Sequence, residues 1–385
     1  AADFLAKPFD PVLLRARLKS SLAAKRLNDV VAAHLAEIEE LAEQLKVRNR
    51  FIQETFGRYI SDAVVSEILE SPDGLRLGGE KRTVTMLMSD LRGFSAMAER
   101  LAPEQVVRVI NNYLGTMADV ILAHDGTIDE FIGDSVLGFF GAPVARPDDA
   151  RRAVACALAM QKGMERVNRR NADEGLPSVE MGIAVHTGDV VVGNIGSEKR
   201  AKYGAVGSHV NLTARIESYT CGGQVLISER TLREAGSDVV TGGSLSVRAK
   251  GFPEPIRVHD LLGLEESPHL HLERRAETLW PVDPPLRAVF TVLEGKRVGR
   301  DEEPAEIVAL SRGGAALRSG ASVEALSDLK LRIVGRSGLL PGDLYAKAVP
   351  VPDGPAGLTR VRFTSVPAEL EPLITRLGSG LDFLL

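Results

Sequence analysis

Cysteine is scarce in this 385-residue chain, which contains Cys156 and Cys221 alone. Both cysteines lie in stretches that read as core or turn, so they do not form a disulfide framework. This usage indicates a reducing compartment, and we therefore expect a cytoplasmic protein. Long apolar runs are also lacking. The longest, around Val136 to Val144, falls short of the roughly 20 residues that cross a bilayer, and the first residues do not read as a signal peptide. We therefore expect no membrane insertion.

Positive charge is not in excess either, because 47 Lys and Arg face 52 Asp and Glu for a net charge of −5. Such a chain has no general attraction to nucleic acid or anionic lipid, and we expect no nucleic-acid partner. A length of 385 residues exceeds the ~100–150 residues of a typical domain. The chain is therefore expected to contain two or three domains.

The first 26 residues contain Lys7-Pro8 before a helical pattern that starts at Pro11. This segment resembles the end of a response-regulator receiver domain, in which a Lys-Pro pair follows the last strand. The preceding strands and the phosphoacceptor aspartate are absent, so residues 1–26 are assigned to a receiver remnant and the chain is expected to be a fragment. The resemblance implies an upstream histidine kinase as a partner. An ordinary turn before a helix is the alternative.

Residues 27–80 are predicted to form a coiled coil and transducer helix. Two sets of residues recur every seventh position and would form the seam between two helices. The first set is Val31, Ile38, Leu45 and Ile52, and the second is Leu27, His34 and Leu41. This spacing is typical of a parallel coiled coil. A second amphipathic stretch, Arg50 to Leu69, ends at Ser71-Pro72-Asp73-Gly74. A two-stranded coil here would hold two copies of the next domain together.

Residues 81–264 alternate strand-like and helix-like runs in the order βαββαβ, which predicts a ferredoxin-like α+β domain. The runs are a strand at Thr83–Ser89, a helix at Ala102–His124, a hairpin at Gly126–Phe140, a helix at Arg146–Asn171, a strand-turn-strand at Ser178–Gly193 and a helix from Asn211. The turns are placed at Gly133-Asp134 and at Thr187-Gly188-Asp189.

Two acidic turns carry the candidate chemistry. Asp90 ends an apolar strand, and the Gly-containing turn at Gly93 then leads into a helix, so backbone N–H groups point at an anion while the carboxylate holds a hard cation. Asp134 occupies the hairpin turn. If their strands are neighbours, the two carboxylates meet.

Three motifs stand in one order: Asp-x-x-Gly-Phe at Asp90–Phe94, the pair Gly133-Asp134, and the run Val206–Arg215. Together they resemble class III adenylate and guanylate cyclases, and the resemblance covers about Arg50 to Leu264. It implies an enzyme that converts a purine nucleoside triphosphate to a 3′,5′-cyclic monophosphate and pyrophosphate. The implied cofactors are two divalent cations, Mg²⁺ or Mn²⁺.

The resemblance also implies the site residues. Asp90 and Asp134 would be metal ligands with help from the Leu91 carbonyl, and the turn at Gly93 and Phe94 would bind the substrate phosphates.

Further along the chain, Asn211 would orient the ribose and Arg215 would neutralise phosphate charge in the transition state. The two lie one helical turn apart, hence on one face. Lys250 matches the family's late lysine, which meets the terminal phosphates. In this family each site takes its metals from one subunit and its Asn and Arg from the other, so a homodimer with two shared sites is implied.

Base choice in the family depends on two positions, which are Glu130 and Gly204 here. A carboxylate accepts hydrogen bonds from guanine N1–H and the N2 amino group, whereas it faces the acceptor N1 of adenine. Glu130 therefore favours GTP, and Gly204 offers no side chain to read O6. The predicted function is a guanylate cyclase in signal transduction. The alternatives are an adenylate cyclase acting on ATP, a catalytically silent nucleotide-binding module and a phosphorelay adaptor.

Residues 265–273 read as a linker. Short β-like runs in residues 274–385 predict a small β-barrel; they are Leu286–Leu293, Ala305–Leu310, Leu329–Val334, Tyr345–Val349 and Thr359–Thr364. Arg275 to Pro281 followed by Ala309 to Gly314 resembles a PilZ domain, although Leu279 stands where the second motif arginine belongs and Ala309 replaces the acidic or amide residue. Cyclic-di-GMP binding is accordingly expected to be weak or absent, with a packing or docking role instead. An unrelated small β-domain is the alternative.

Overall fold

A computed structural model describes residues 11–56, 76–248, 251–252, 254–273, 278–294, 297–298, 302–335, 338–349 and 357–377. The chain divides into two compact units, Ala1–Leu69 and Glu70–Leu385. The first contains one long helix, α1 (Pro11–Phe56), which passes residue 26 without a break. No helix in the described ranges is both long and apolar enough to span a membrane.

The predicted seam of α1 is uncovered. The residues Leu27, Val31, Ile38, Leu41 and Leu45 are between 48% and 66% exposed, so their apolar surface faces away from any packed core in a single chain. Lys7, Pro8 and most of the second amphipathic stretch lie outside the described residues.

The second unit begins with the predicted βαββαβ order. Its elements are β1 (Gly78–Leu91), α2 (Phe94–Ala98), α3 (Pro103–Ala123), β2 (Thr127–Ile132), β3 (Ser135–Phe140), α4 (Asp149–Asp173) and β4 (Met181–Ser197). These strands align as β2-β3-β1-β4. Apolar side chains of α3 and α4, such as Tyr113 and Leu158, pack with Leu87 and Ile183 of the sheet in a continuous core.

One predicted turn is wrong. Residues 178–193 do not form a strand-turn-strand, because β4 is a single strand whose Thr187, Gly188 and Asp189 pair in register with β1. Gly188 serves a close approach instead of a turn: a β-carbon there would lie 2.3 Å from the His209 ring on helix α5 (Ser208–Ser218). The hairpin partner of β4 is β5 (Arg200–Val206).

The sheet then extends beyond β4. Its further elements are β6 (Val225–Ser228), α6 (Glu229–Ala235), β7 (Val239–Val247) and β8 (Ile256–Leu264), in the strand order β4-β6-β8-β7. β6 runs parallel to β4, whereas β8 is antiparallel to β6.

The C-terminal region is the predicted barrel. Its elements are β9 (Trp280–Glu294), β10 (Arg297–Val298), β11 (Glu303–Leu310), β12 (Gly314–Arg318), β13 (Asp328–Gly335), β14 (Gly338–Leu339), β15 (Leu344–Val349), β16 (Leu358–Ser365) and α7 (Glu371–Leu377). Six strands pair as β9-β11-β12-β16-β15-β13, and β13 returns to β9 to close the barrel. Sequence reasoning missed β12, which is short and begins at the second glycine of the pair Gly313-Gly314, a pair that reads as a turn.

Candidate active site

Two carboxylates meet where β1 ends and the β2–β3 hairpin turns. β1 and β3 pair antiparallel with Ser89 opposite Val136, so Asp90 is brought beside Asp134 in the turn. Ser135 Oγ donates a 2.7 Å hydrogen bond to Asp90 Oδ1. The strands that lead to the two carboxylates are therefore neighbours, as expected.

The pair is electrostatically strained. Burial raises the pKa of Asp134 to about 7, and the negative charge of Asp90 raises it as well. Two carboxylates held together disfavour full ionisation, and a cation beside them would relieve that repulsion. Their oxygen atoms are the donors that hard divalent cations prefer.

A third charged residue, Arg92, links the pair to α5. Its Nη2 donates to Asp90 Oδ2 at 3.0 Å and also to Glu217 Oε1. Glu217 is 5% exposed, and burial raises its pKa to about 7 although the Arg92 charge lowers it. Sequence reasoning missed this ion pair, because Arg92 stands inside a known motif but nothing in the pattern connects it to a residue 125 positions later.

The turn after Asp90 contains three further predicted site residues, Leu91, Gly93 and Phe94. Leu91 is buried, Arg92 N donates to Glu180 O at 2.8 Å, and Gly93 has a φ of 68°. That left-handed conformation favours glycine. Helix α2 begins at once with Phe94, so Leu91, Gly93 and Phe94 all lie next to the carboxylates.

A second polar cluster joins β2 to β5. A register shift in the β2–β3 pairing falls at Asp129, whose side chain is 1% exposed and accepts a 3.1 Å hydrogen bond from Ala205 N. Lys202 Nζ lies 2.7 Å from Glu130 Oε2 and 3.0 Å from Asp129 Oδ1. A β-carbon on Gly204 would lie 2.5 Å from Asp129 Oδ1. Asp129 and Lys202 thus bring Glu130 and Gly204 close together. Sequence reasoning did not single out either Asp129 or Lys202.

Helix α5 carries Asn211, which is exposed, and Arg215, which is half-buried. In the part of the chain that the structure describes, neither side chain makes a hydrogen bond or ion pair with Asp90 or Asp134. Lys250 lies outside the described residues.

A buried polar chain anchors the start of α5. His186 Nε2 lies 2.8 Å from His209 Nδ1, and His186 Nδ1 lies 2.8 Å from Ser228 Oγ. Burial lowers the pKa of His186 to about 3, so this imidazole is neutral at physiological pH. The contact holds His209, and with it the helix that bears Asn211, against β4.

Comparison with known proteins identifies the domain. Residues 79–260 match the family described as adenylate and guanylate cyclase catalytic domain. The solved structure of the guanylyl cyclase Cya2 is 54% identical, covers 51% of this chain and 100% of that chain, and has a TM-score of 0.50. This chain belongs to the adenylate and guanylate cyclase family.

Curated relatives of the cyclase domain are longer proteins. Adenylate cyclase 1 of Rhizobium meliloti is 32% identical over 251 residues, which cover 63% of this chain and 38% of the relative. An adenylate cyclase of Anabaena cylindrica is 28% identical over 249 residues, which cover 60% of this chain and 48% of the relative. The chain thus spans less than half the length of these two relatives.

Asp134→Asn tests the strain in the carboxylate pair. Because the fold raises the pKa of Asp134 from its ordinary value of 3.8 to about 7, the folded state holds a proton that the unfolded state releases, and stability is lost as pH rises from about 4 through 7. In a chelator we expect the variant to melt at a higher temperature than the wild type at pH 8, with a smaller difference at pH 5, by circular dichroism.

Asp119→Asn, an exposed carboxylate on α3, is the matched control and should leave the pH dependence unchanged. An Asp134→Asn variant whose melting temperature follows pH as the wild type does would contradict the proximity of the two carboxylates.

Proposed function

We propose that this cyclase converts GTP to 3′,5′-cyclic GMP and pyrophosphate in signal transduction. The observation that carries the choice of GTP is the Glu130–Lys202 pair beside Gly204. The 54% identity to the guanylyl cyclase Cya2 over the whole of that chain supports it.

The pair matches one purine edge. Guanine presents the acceptor O6 next to the donors N1–H and N2–H₂, whereas adenine presents the donor N6–H₂ next to the acceptor N1. Glu130 accepts from N1–H and N2–H₂, and Lys202, 2.7 Å away, donates to O6. Lys202 thereby binds the guanine O6, which Gly204 cannot do because it has no side chain.

Asp90, Asp134 and the Leu91 carbonyl supply oxygen donors that fit two divalent cations, Mg²⁺ or Mn²⁺. The repulsion that helps to raise the pKa of Asp134 favours cations between these carboxylates. When bound, the cations supply the positive charge that activates the ribose 3′-hydroxyl and neutralises the triphosphate.

The remaining groups bind and orient. Backbone N–H groups at Gly93 and Phe94 hold phosphate oxygens, Asn211 orients the ribose, Arg215 neutralises charge at the α-phosphate, and Lys250 meets the terminal phosphates. The 3′-hydroxyl releases its proton to solvent water, and its oxygen bonds to the α-phosphorus. The bond from that phosphorus to the oxygen bridging to the β-phosphate breaks, and pyrophosphate leaves.

A second copy completes each site in this proposal. Asn211 and Arg215 are not bonded to the carboxylates of their own chain within the described residues, so the partner subunit supplies them and the homodimer has two equivalent sites. The exposed apolar seam of α1 supports a parallel coil between the two copies.

ATP is the second candidate substrate, because the curated relatives from Rhizobium meliloti and Anabaena cylindrica are both named adenylate cyclases. The catalytically silent nucleotide-binding module is the third reading, and a turnover assay with both nucleotides separates all three.

For the outer segments we propose a receiver remnant in residues 1–26, served by an upstream histidine kinase, and a PilZ-like barrel in residues 274–385. Cyclic-di-GMP binding by that barrel is expected to be weak or absent. Leu279 and Ala309 lack the polar groups of the binding motif, and Ser311 is buried with its hydroxyl bonded to the Gly314 backbone.

With Mn²⁺ and equal GTP and ATP, the purified chain should form mainly cyclic GMP, measured by chromatography. Asp134→Ala should lower the rate ~100-fold or more, because charge stabilisation at the phosphates is lost. Asp119→Ala is the control. A predominance of cyclic AMP would contradict the base assignment, and the lack of any product sensitive to Asp134→Ala would favour the silent module.

The double substitution Glu130→Lys with Lys202→Glu reverses donor and acceptor at the base edge. We expect the ratio of kcat/KM for GTP to that for ATP to fall roughly 10- to 100-fold, the usual cost of polar groups that a bound base covers and leaves unpaired. Gly204→Asp is avoided because a side chain there meets Asp129.

Glu306→Lys with Arg318→Glu swaps an exposed ion pair of 3.1 Å on the barrel and serves as the matched control. If the double substitution leaves the GTP to ATP ratio as it is in the control, Glu130 and Lys202 do not read the base.

Mixing two inactive variants tests the shared sites. Co-assembled Asp90→Ala and Arg215→Ala chains should recover roughly a quarter of wild-type activity, because half of the dimers are mixed and each of those has one intact site. Asp90→Ala mixed with Asp134→Ala should recover none, since both changes fall in the same half-site. Equal recovery from both mixtures, or none from the first, would rule out sites shared in this way.

A further inference from the structure

The barrel contacts the cyclase domain beside the candidate active site. The described residues include four barrel groups at this contact: Thr364 O approaches Gly93, Lys347 Nζ reaches Ser218 O, Val366 O accepts from Arg100 at 3.5 Å, and Leu326 packs on the cluster that includes Leu212 and Ile216. These groups come from β15, from β16 and from the segments before β13 and after β16. One face of the barrel therefore lies along the turn after Asp90 and the end of α5.

The approach at Gly93 is backbone against backbone. A β-carbon on Gly93 would lie 2.4 Å from Thr364 O and 3.0 Å from Ser365 Cβ. Unlike a long side chain, a strand backbone cannot rotate away from this position. Thr364 O carries partial negative charge and lies against the Cα of Gly93, in the turn that the proposed function assigns to phosphate binding.

Lys347 is the polar anchor of the contact. It is 1% exposed, and its Nζ donates to Ser218 O at 2.7 Å and lies 2.7 Å from Asp328 Oδ1. A buried ammonium is costly unless it is paired and hydrogen-bonded. Asp328 belongs to the barrel itself, whereas Ser218 O is a partner only when the barrel sits on α5, and a cation suits the carbonyl end of a helix.

Leu326 is the apolar anchor. Its backbone has a φ of 70°, a conformation that bulky residues rarely adopt, and its N donates to Ala348 O at 2.8 Å. The strained backbone directs an apolar side chain onto the cyclase cluster.

We infer that the barrel and the substrate compete for the Gly93 turn, so the docked barrel restrains the cyclase until it is displaced. This inference rests on the proposed function, which assigns phosphate binding to that turn. The partner that this cyclase surface fits is thus the chain's own C-terminal barrel, and a signal that loosens the barrel raises the occupancy of the site.

Two substitutions in the full chain weaken the docking by different means. Lys347→Met removes the buried ammonium, and Leu326→Asn removes the apolar contact while keeping a residue that tolerates positive φ. Each should shift docking roughly tenfold or more towards release. Lys330→Met is the matched control, because Lys330 pairs with Asp343 at 2.6 Å within the same barrel.

We expect both variants to lower the KM for GTP with Mn²⁺ roughly tenfold at an unchanged kcat, the pattern for removing an intramolecular competitor. They should also bind the α,β-methylene analogue of GTP, which cannot be cyclised, more tightly in calorimetry. Amide hydrogen exchange in residues 92–98 should become faster in the absence of nucleotide. The control should match the wild type in all three measurements.

Unchanged or weaker binding of the analogue by both folded variants would overturn the inference, as would a fall in kcat at constant KM, which would mean that the barrel supports the site. Failure of the proposed function looks different. In that case no chain yields cyclic GMP, while tighter analogue binding and faster exchange in the two variants would still establish the competition.

Discussion

Antiparallel pairing of β1 with β3 is the constraint on which the candidate site depends. It places Asp90, near the end of β1, next to Asp134 in the turn before β3, and Leu87 and Val136 of these two strands are buried in the core. The chain accepts the repulsion at this one place and offsets part of it with Ser135 and Arg92. The two carboxylates repel each other when no cation is bound, and a bound cation would relieve that repulsion.

Arg92 links the carboxylate pair to helix α5. Its guanidinium binds both Asp90 and Glu217, so the strand that holds one half of a site is tied to the helix that carries Asn211 and Arg215. In the proposed dimer these residues serve the other site. In that dimer Arg92 therefore connects the carboxylates of one site with the helix that completes its neighbour.

Much of this arrangement could be predicted from the sequence, because alternation and turn chemistry are local. The βαββαβ order, the Gly133-Asp134 turn and the barrel strands follow from such patterns. Glycines were the weak point. Gly188 reads as a turn residue but lies within β4 to admit the His209 ring, and Gly314 opens β12 instead of ending a loop.

Contacts between distant segments were beyond local patterns. The sequence pointed to Asp90, Asp134 and Glu130 as separate positions, yet Lys202 and Glu217 join them only after the chain has folded. The docking of Lys347 on Ser218 spans 129 positions, and no periodicity encodes it. Long-range pairs of this kind depend on tertiary geometry and must be observed.

The space beside Gly204 has a consequence for how such domains diverge. Asp129 is buried and fills the position that a side chain at residue 204 would need. A larger residue at position 204 therefore requires the Asp129 side chain to move or to be replaced, so we expect substitutions at the two positions to be coupled. Position 204 can thus contribute a side chain to the base edge only if position 129 changes with it, whereas Glu130 and Lys202 can change without that constraint.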